Sequence, residues 1–218
     1  MSSSNEPGSC VLYSDAVNHL SDVDWEEVAR RDPYFDVLSH DGVAETGETF
    51  FETGEADITA LLAAIASLIG HDVPLTAALD FGCGAGRLTL PLARLATTVV
   101  GCDVAPTMLT HARRNALDAG LSNATFTGLD GLEGLQSGQF DFVCSLLVFQ
   151  YIRPAAGHAI IRTLLQLLAP AGIAALHLPF GRREYDVHAV EQEIAAAGAR
   201  VIGRFPMPED RAVLVIGK

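Results

Sequence analysis

Basic residues are scarce in this chain. Its 218 residues include 14 Lys and Arg against 27 Asp and Glu, which gives a formal net charge of −13 at pH 7. Proteins that bind nucleic acid depend on Lys and Arg contacts to phosphates, and phosphates repel an acidic surface. The composition therefore argues against DNA, RNA and anionic membranes as partners, and it favours a small-molecule ligand.

Cysteines and long apolar segments are also few. The four cysteines form no Cys-x-x-Cys pair and have no histidine at zinc spacing, so no metal site is predicted. The longest apolar helical run, 58–69, is too short to cross a bilayer. The first residues lack the basic and apolar segments of a signal peptide. These absences predict a cytoplasmic protein without a membrane partner.

The periodicity of the apolar residues changes near residue 70. Residues 1–70 have helical spacing and no β alternation, which predicts a helical N-terminal cap. Residues 71–218 alternate short apolar runs with helix-prone segments, which predicts a parallel sheet with helices on both faces. Strands are predicted at 77–81, 98–102, 125–127, 140–145, 173–178, 200–204 and 212–216. Helices are predicted from 87 and at 107–119, 155–169 and 187–197, and the last two strands form a hairpin.

A glycine-rich turn follows the first predicted strand. Gly82, Gly84 and Gly86 come directly after an apolar run that contains Asp80. Such a turn lets the backbone approach a ligand that a Cβ would exclude, and the helix that follows offers unpaired N–H groups. The dinucleotide fingerprint Gly-x-Gly-x-x-Gly would place its third glycine at position 87, which is an arginine here.

A second acidic residue, Asp103, ends the next apolar run. A carboxylate at this place can accept hydrogen bonds from both hydroxyls of a ribose. Asp80-x-Gly-x-Gly-x-Gly with Asp103 about twenty residues later resembles the class I S-adenosylmethionine-dependent methyltransferases. A tight turn and a helix cap could each produce one half of this pattern, but neither predicts the separation between the two halves.

The resemblance covers residues 75–218. It implies an α/β fold with a doubly wound, mostly parallel seven-stranded sheet, whose last strand is antiparallel to its neighbours. Residues 71–218 would then be the Rossmann-like catalytic domain. Asp130-Gly131 is similar to the family's adenine-contacting acidic site, and Ser145-Leu146 to the strand end beside the methionine moiety. Residues 168–172 are similar to its Leu-x-Pro-Gly-Gly turn, with alanine at position 171. The implied S-adenosylmethionine site comprises Asp80, Gly82, Gly84, Gly86, Asp103, Val104, Met108, Asp130, Gly131, Ser145 and Leu146.

The aromatic residues of the cap resemble the lead-in helices of a bacterial subgroup that acts on small molecules. Phe50 and Phe51 either pack in the core or wall the methyl-transfer site, where an aromatic face stabilises a sulfonium. Arg182 and Arg183 either meet an anionic group of the substrate or lie in a solvated turn.

Two residues near the carboxyl ends of the fourth and fifth strands are the predicted catalytic residues. They are His177, as a general base for a hydroxyl acceptor, and Tyr151, which would either orient the acceptor or pack over the thioether. Gln150 lies at the same edge of the sheet. For His177 the alternative is a core histidine that bonds the backbone.

Three functions remain open from the sequence. The first is a methyltransferase that uses S-adenosylmethionine, yields S-adenosylhomocysteine, and modifies an oxygen or nitrogen of a small metabolite or natural product. The second is a non-catalytic module that binds this cofactor or a protein partner on the same scaffold. The third, an NAD-dependent oxidoreductase, is disfavoured by the arginine at position 87 and by the terminal hairpin. A homodimer is compatible with the sequence.

Overall fold

The computed structural model describes residues 21–34, 47–180, 185–208 and 210–218. Arg182 and Arg183 lie outside these ranges, as does most of the first part of the predicted cap. The boundary predicted at residue 70 stays a prediction.

Seven strands form one sheet. They are β1 (Ala77–Phe81), β2 (Thr98–Cys102), β3 (Ala124–Thr127), β4 (Phe140–Ser145), β5 (Leu168–Pro179), β6 (Arg200–Met207) and β7 (Arg211–Gly217). Their order across the sheet is β3-β2-β1-β4-β5-β7-β6. The pairs among β1 to β5 are parallel, whereas β7 lies antiparallel to both β5 and β6. The predicted fold class is therefore confirmed, including the last strand.

Six α-helices accompany the sheet in the described ranges. They are α1 (Trp25–Arg31), α2 (Gly47–Ile69), α3 (Thr89–Leu95), α4 (Pro106–Asp118), α5 (Pro154–Leu167) and α6 (Val187–Ala196). Short 3₁₀ helices span Leu129–Gly134 and Phe149–Tyr151. Among these helices, none is long and apolar enough to span a membrane.

Each face of the sheet carries its own apolar layer, because successive side chains of a strand point to opposite faces. In β5, Leu176 belongs to the layer that contains Ile161 of α5, whereas Ala175 belongs to the layer that contains Ile65 of α2 and Leu92 of α3. Fully burying each of the large aliphatic side chains contributes about 1.5–3 kcal/mol. Helices on both faces thus hold the parallel strands in place.

The fifth strand begins earlier than the sequence predicts. Helix α5 ends at Leu167, and Leu168 pairs at once with Phe140 of β4. The pairing then shifts register, and Ala171 takes a φ of 62° while its N–H donates to the carbonyl of Lys218. The turn-like residues 170–172 therefore form an irregularity inside β5 instead of a separate loop. Similarly, residue 87 precedes α3, because that helix begins at Thr89.

Candidate cofactor and acceptor site

A cleft opens where strands β1, β2 and β4 end. Phe81 and Cys102, the last residues of β1 and β2, line it together with Leu146, which follows β4. The connections leave β1 and β4 toward opposite sides of the sheet, and this point of an open α/β sheet is where ligands bind.

The three glycines of the turn serve different purposes. Gly82 has a φ of 77°, and a Cβ on it would lie 2.2 Å from Cγ2 of Val148. A Cβ on Gly86, which has a φ of 97°, would lie 2.6 Å from Cδ1 of Leu90, and Gly86 does not line the cleft. Gly84 lines the cleft with a φ of 52°, and no atom lies within 4 Å of the place where its Cβ would be. Gly84 is thus the glycine whose missing side chain leaves room for a ligand.

Asp103 joins the glycine turn to the turn after β2. Its Oδ2 accepts the N–H of Gly84 at 2.8 Å, and its Oδ1 accepts the N–H of Ala105 at 2.9 Å. Burial raises the pKa of Asp103, and these backbone hydrogen bonds oppose the rise. Each carboxylate oxygen has a second lone pair, so Asp103 can still accept hydrogen bonds from hydroxyl groups of a ligand.

Asp80 lies deeper, with only 1% of its surface exposed. Its Oδ2 accepts the hydroxyl of Thr89 at 2.6 Å, and Cys144 Sγ lies 3.8 Å from its Oδ1. Burial raises the pKa of Asp80 to about 6, although the Thr89 hydrogen bond and the nearby Arg87 lower it. Asp80 therefore fixes the path from β1 to the start of α3, while it also lines the cleft.

The remaining predicted cofactor residues divide into two groups. Val104, Met108 and Leu146 line the cleft. Four predicted residues, Gly86, Asp130, Gly131 and Ser145, are absent from its wall. Asp130 is exposed, and the neighbouring Leu129 lines the cleft instead. The Ser145 hydroxyl is buried and has no hydrogen-bond partner within the described part of the chain. The binding roles of all these residues stay predictions.

Comparisons with known proteins agree with this geometry. A family model described as a methyltransferase domain matches residues 78–172. The matched range, which is similar to methyltransferase domains, contains the glycine turn, Asp103 and Tyr151. Ubiquinone biosynthesis O-methyltransferase of Methylocella silvestris is 38% identical over 96 residues, which are 44% of this chain and 36% of that protein. The chain thus spans little more than a third of that relative's length.

Two further similarities are partial or distant. The 23S rRNA (uracil(1939)-C(5))-methyltransferase of Alkalilimnicola ehrlichii is 50% identical over 52 residues, which are 24% of this chain and 12% of that protein. Magnesium protoporphyrin IX methyltransferase of Synechocystis PCC 6803, solved with bound S-adenosylhomocysteine, is 19% identical. Its structure has a TM-score of 0.64 and covers 89% of this chain and 97% of its own. At that identity the likeness shows the fold.

Aromatic side chains of α1, α2 and the 3₁₀ helix after β4 also line the cleft. Trp25 of α1 and Tyr151 meet edge to face, with ring centroids 4.8 Å apart, and both line the cleft. Phe50 lines it too, although it is buried against Tyr34 and Phe51. Phe50 thus packs in the core and also walls the site, whereas Phe51 does not line the cleft. Tyr151, a predicted catalytic residue, thus lines the cleft, and its catalytic role stays a prediction.

His177, the other predicted catalytic residue, lies behind the wall of the cleft. It is 3% exposed and does not line the cavity. Its Nδ1 accepts the N–H of Leu147 at 3.2 Å. Gln150 is engaged elsewhere, since its Oε1 accepts from Arg211 at 2.8 Å. The structure therefore brings Tyr151 to the cleft, whereas His177 contacts Leu147, which lines the cleft.

Three features of the site were not predicted from the sequence. Arg87 lines the cleft and bonds Asp57 of α2. Glu26 of α1 accepts hydrogen bonds from Thr107 at the start of α4. Leu147 lines the cleft with a positive φ. Of these features, the sequence marked only Arg87, which stands where the dinucleotide fingerprint has a glycine, and it did not indicate the contact with Asp57.

Proposed function

We propose that this chain transfers a methyl group from S-adenosylmethionine to a hydroxyl of a small, uncharged and largely apolar acceptor. The observation that carries the proposal is the unit formed by Gly84 and Asp103. A glycine with open space in place of its Cβ lies against a carboxylate that can take ribose hydroxyls.

The residues around this unit fit the rest of the cofactor. Asp103 would accept hydrogen bonds from the ribose, and the apolar side chains of Val104, Met108 and Leu129, which line the cleft, would enclose the adenine. Bound S-adenosylmethionine supplies a methyl group already activated on a sulfonium, so the protein chiefly aligns the acceptor and excludes water. The predicted cofactor-binding roles of Asp80, Gly82 and Leu146 belong to the same proposal.

The described walls at the acceptor end support an uncharged substrate. Trp25, Phe50, Leu147 and Tyr151 contribute rings, an aliphatic chain and a phenolic hydroxyl. The charged side chains that line the cleft in the described ranges are Asp80, Arg87 and Asp103, and each has hydrogen-bond partners within the protein. A hydroxyl acceptor agrees with the O-methyltransferase named among the relatives. Tyr151 orients that hydroxyl.

Net charge and free thiols support a proposal about partners and location. The net charge of −13 speaks against RNA as the acceptor, although one partial relative acts on 23S rRNA. We place the protein in the cytoplasm, where thiols such as those of Cys83, Cys102 and Cys144 stay reduced. The homodimer stays a prediction, for which light scattering is the direct measurement.

Calorimetric titration with S-adenosylhomocysteine tests the cofactor, with NAD and a short single-stranded RNA as parallel ligands. We expect micromolar binding of S-adenosylhomocysteine alone. Asp103→Ala should weaken it about 10- to 100-fold, because a charge-assisted hydrogen-bonding group is lost. Asp118→Ala is the matched control, since Asp118 is exposed and pairs with Arg114 on the surface of α4.

The other outcomes would each change the function. Binding of NAD alone would indicate redox chemistry, and RNA binding would indicate a nucleic-acid acceptor. Binding of none of the three would favour a module without this cofactor. Once binding is established, transfer of a labelled methyl group to 2-naphthol, with 6-hydroxy-2-naphthoate as its charged analogue, tests the acceptor. The neutral phenol should be preferred, and Tyr151→Phe should lower its methylation about 10- to 100-fold.

A further inference from the structure

Leu147 has an unusual backbone conformation for its residue type. Its φ is 63°, in the left-handed region that residues other than glycine, asparagine and aspartate rarely adopt. Leu147 lies two residues after the end of β4 and lines the cleft. Such a conformation persists only where the surrounding structure enforces it, and these cases concentrate at functional sites.

Leu147 donates a hydrogen bond to a side chain of strand β5. The N–H of Leu147 donates to Nδ1 of His177, 3.2 Å away. His177 lies opposite Val213 of β7, and the preceding Leu176 lies opposite Ser145 of β4, so its backbone is held from both sides. The ring is 3% exposed and has little freedom to move. The accepting nitrogen thus has a fixed position.

The segment next to Leu147 contacts the cofactor turn. Val148 lies so close to Gly82 that only a glycine fits there, and Tyr151 follows three residues later at the acceptor end. A change in the conformation of Leu147 would therefore move the wall that lies between the glycine turn and Tyr151.

We propose that His177 is a positioning residue, which holds Leu147 in its left-handed conformation and thereby shapes the acceptor wall of the cleft. A ring that accepts at Nδ1 is neutral, with its proton on Nε2. The acceptor atom that a general base would use is therefore engaged with the backbone. The acceptor-wall part of this inference rests on the proposed function, whereas the contact between His177 and Leu147 does not.

Two substitutions of His177 separate the hydrogen bond from the bulk of the ring. His177→Asn places an amide oxygen near the position of Nδ1, whereas His177→Leu offers no acceptor. We expect His177→Leu to speed amide exchange of Leu147 at least about 10-fold. It should also weaken binding of 2-naphthol to the S-adenosylhomocysteine complex about 10-fold, while the affinity for S-adenosylhomocysteine changes less than about threefold. His177→Asn should restore both properties.

Leu147→Gly provides a second test, because glycine adopts a positive φ without the hydrogen bond to His177. In a Leu147→Gly background, His177→Leu should change 2-naphthol affinity by less than about threefold. Three results would overturn the proposal. The first is an unchanged amide exchange rate of Leu147 in His177→Leu, and the second is an equal effect of His177→Asn and His177→Leu on exchange and on 2-naphthol affinity. The third is an equal loss of 2-naphthol affinity on His177→Leu with and without Leu147→Gly. If the wild-type protein fails to bind S-adenosylhomocysteine, the proposed function fails, while the exchange measurement still decides the contact. If its complex fails to bind 2-naphthol, the acceptor-wall part is wrong.

Discussion

Arg87 Nη1 donates to Asp57 Oδ2 over 2.6 Å and so ties the turn after β1 to helix α2. The Arg87 side chain is 5% exposed and that of Asp57 48%. Beside this pair, Gly54 of α2 lies so close to the turn that a Cβ would be 2.0 Å from the Arg87 carbonyl oxygen. In dinucleotide-binding folds the residue at position 87 is a glycine that lets helix and strand approach. Here an arginine at that position fastens helix α2 to the glycine turn.

The first prediction concerns this ion pair. Arg87→Met should lower the free energy of unfolding by about 1–3 kcal/mol, because it removes a charged hydrogen bond whose arginine side chain is buried. Arg114→Met is the control, since its pair with Asp118 is exposed on both sides and should contribute less than about 1 kcal/mol. Urea unfolding measures both. Equal losses would show that burial of Arg87 adds nothing to its pair.

The second prediction separates strain from ligand contact in the glycine turn. Gly84 and Gly120 both have positive φ values, and neither has an atom within 4 Å of a Cβ position. Replacing either with alanine should cost about 1 kcal/mol of stability. Only Gly84→Ala should weaken S-adenosylhomocysteine binding, by about 10-fold or more, because only its Cβ enters the cleft. Equal affinities of the two variants would remove Gly84 from the cofactor site.

The third prediction concerns pH. The folded pKa of Asp80, about 6, lies above its ordinary value of 3.8 because the group is buried. The folded state therefore holds this proton more tightly, so the contribution of Asp80 to stability falls as pH rises from about 4 to about 6 and then stays level. At about 1.4 kcal/mol per pKa unit the fall is about 3 kcal/mol.

Asp80→Asn cannot lose a proton and keeps an oxygen for Thr89. Relative to the wild type, this variant should therefore gain stability between about pH 4 and about pH 6. Urea unfolding across this range checks the difference, with the exposed Asp72→Asn as control. A difference that does not change with pH would mean that Asp80 titrates near its ordinary value in the folded state.

The sheet could be predicted because its signals are local. Apolar runs of strand length, separated by glycines such as Gly120 and Gly198, give the strands and helices in order. Both glycines take positive φ at helix ends, as their sequence positions predict. The start of β5 was missed because residues 170–172 carry turn signals, whereas pairing of Leu168 with Phe140 draws them into the strand.

The site could be predicted only in part, for a physical reason. Gly84 and Asp103 follow strands whose ends must meet, so topology alone brings them together. By contrast, Arg87 and Asp57 are 30 residues apart, and Glu26 and Thr107 are 81 apart. No local pattern encodes such pairs, because they depend on how helices outside the sheet pack. The contact of His177 with Leu147 likewise depends on a backbone angle that leucine rarely adopts.

The fourth prediction concerns Glu26, which provides the cap that α4 lacks. The N-cap residue of α4 is Ala105, whose side chain cannot accept a hydrogen bond from the first turn. Glu26 of α1 accepts the hydrogen bond that an N-cap side chain would otherwise accept. Its Oε2 accepts the N–H of Thr107 at 3.0 Å and its Oε1 accepts the Thr107 hydroxyl at 2.6 Å. These bonds lower the pKa of Glu26 below its ordinary 4.5.

Glu26→Gln should therefore destabilise the protein by about 1 kcal/mol or less at neutral pH, since the side chain is partly exposed. A depressed pKa gives stability that is present above about pH 4.5 and is lost as pH falls through the folded value, so the difference between the variant and the wild type should shrink in acid. Because α4 supplies Met108 to the cleft, the variant should also bind S-adenosylhomocysteine about two- to fivefold more weakly. Glu27→Gln, one residue along α1 and exposed, should change neither property. If both variants behave alike, α1 does not hold the first turn of α4, and the Trp25 face of the cleft is positioned by other contacts.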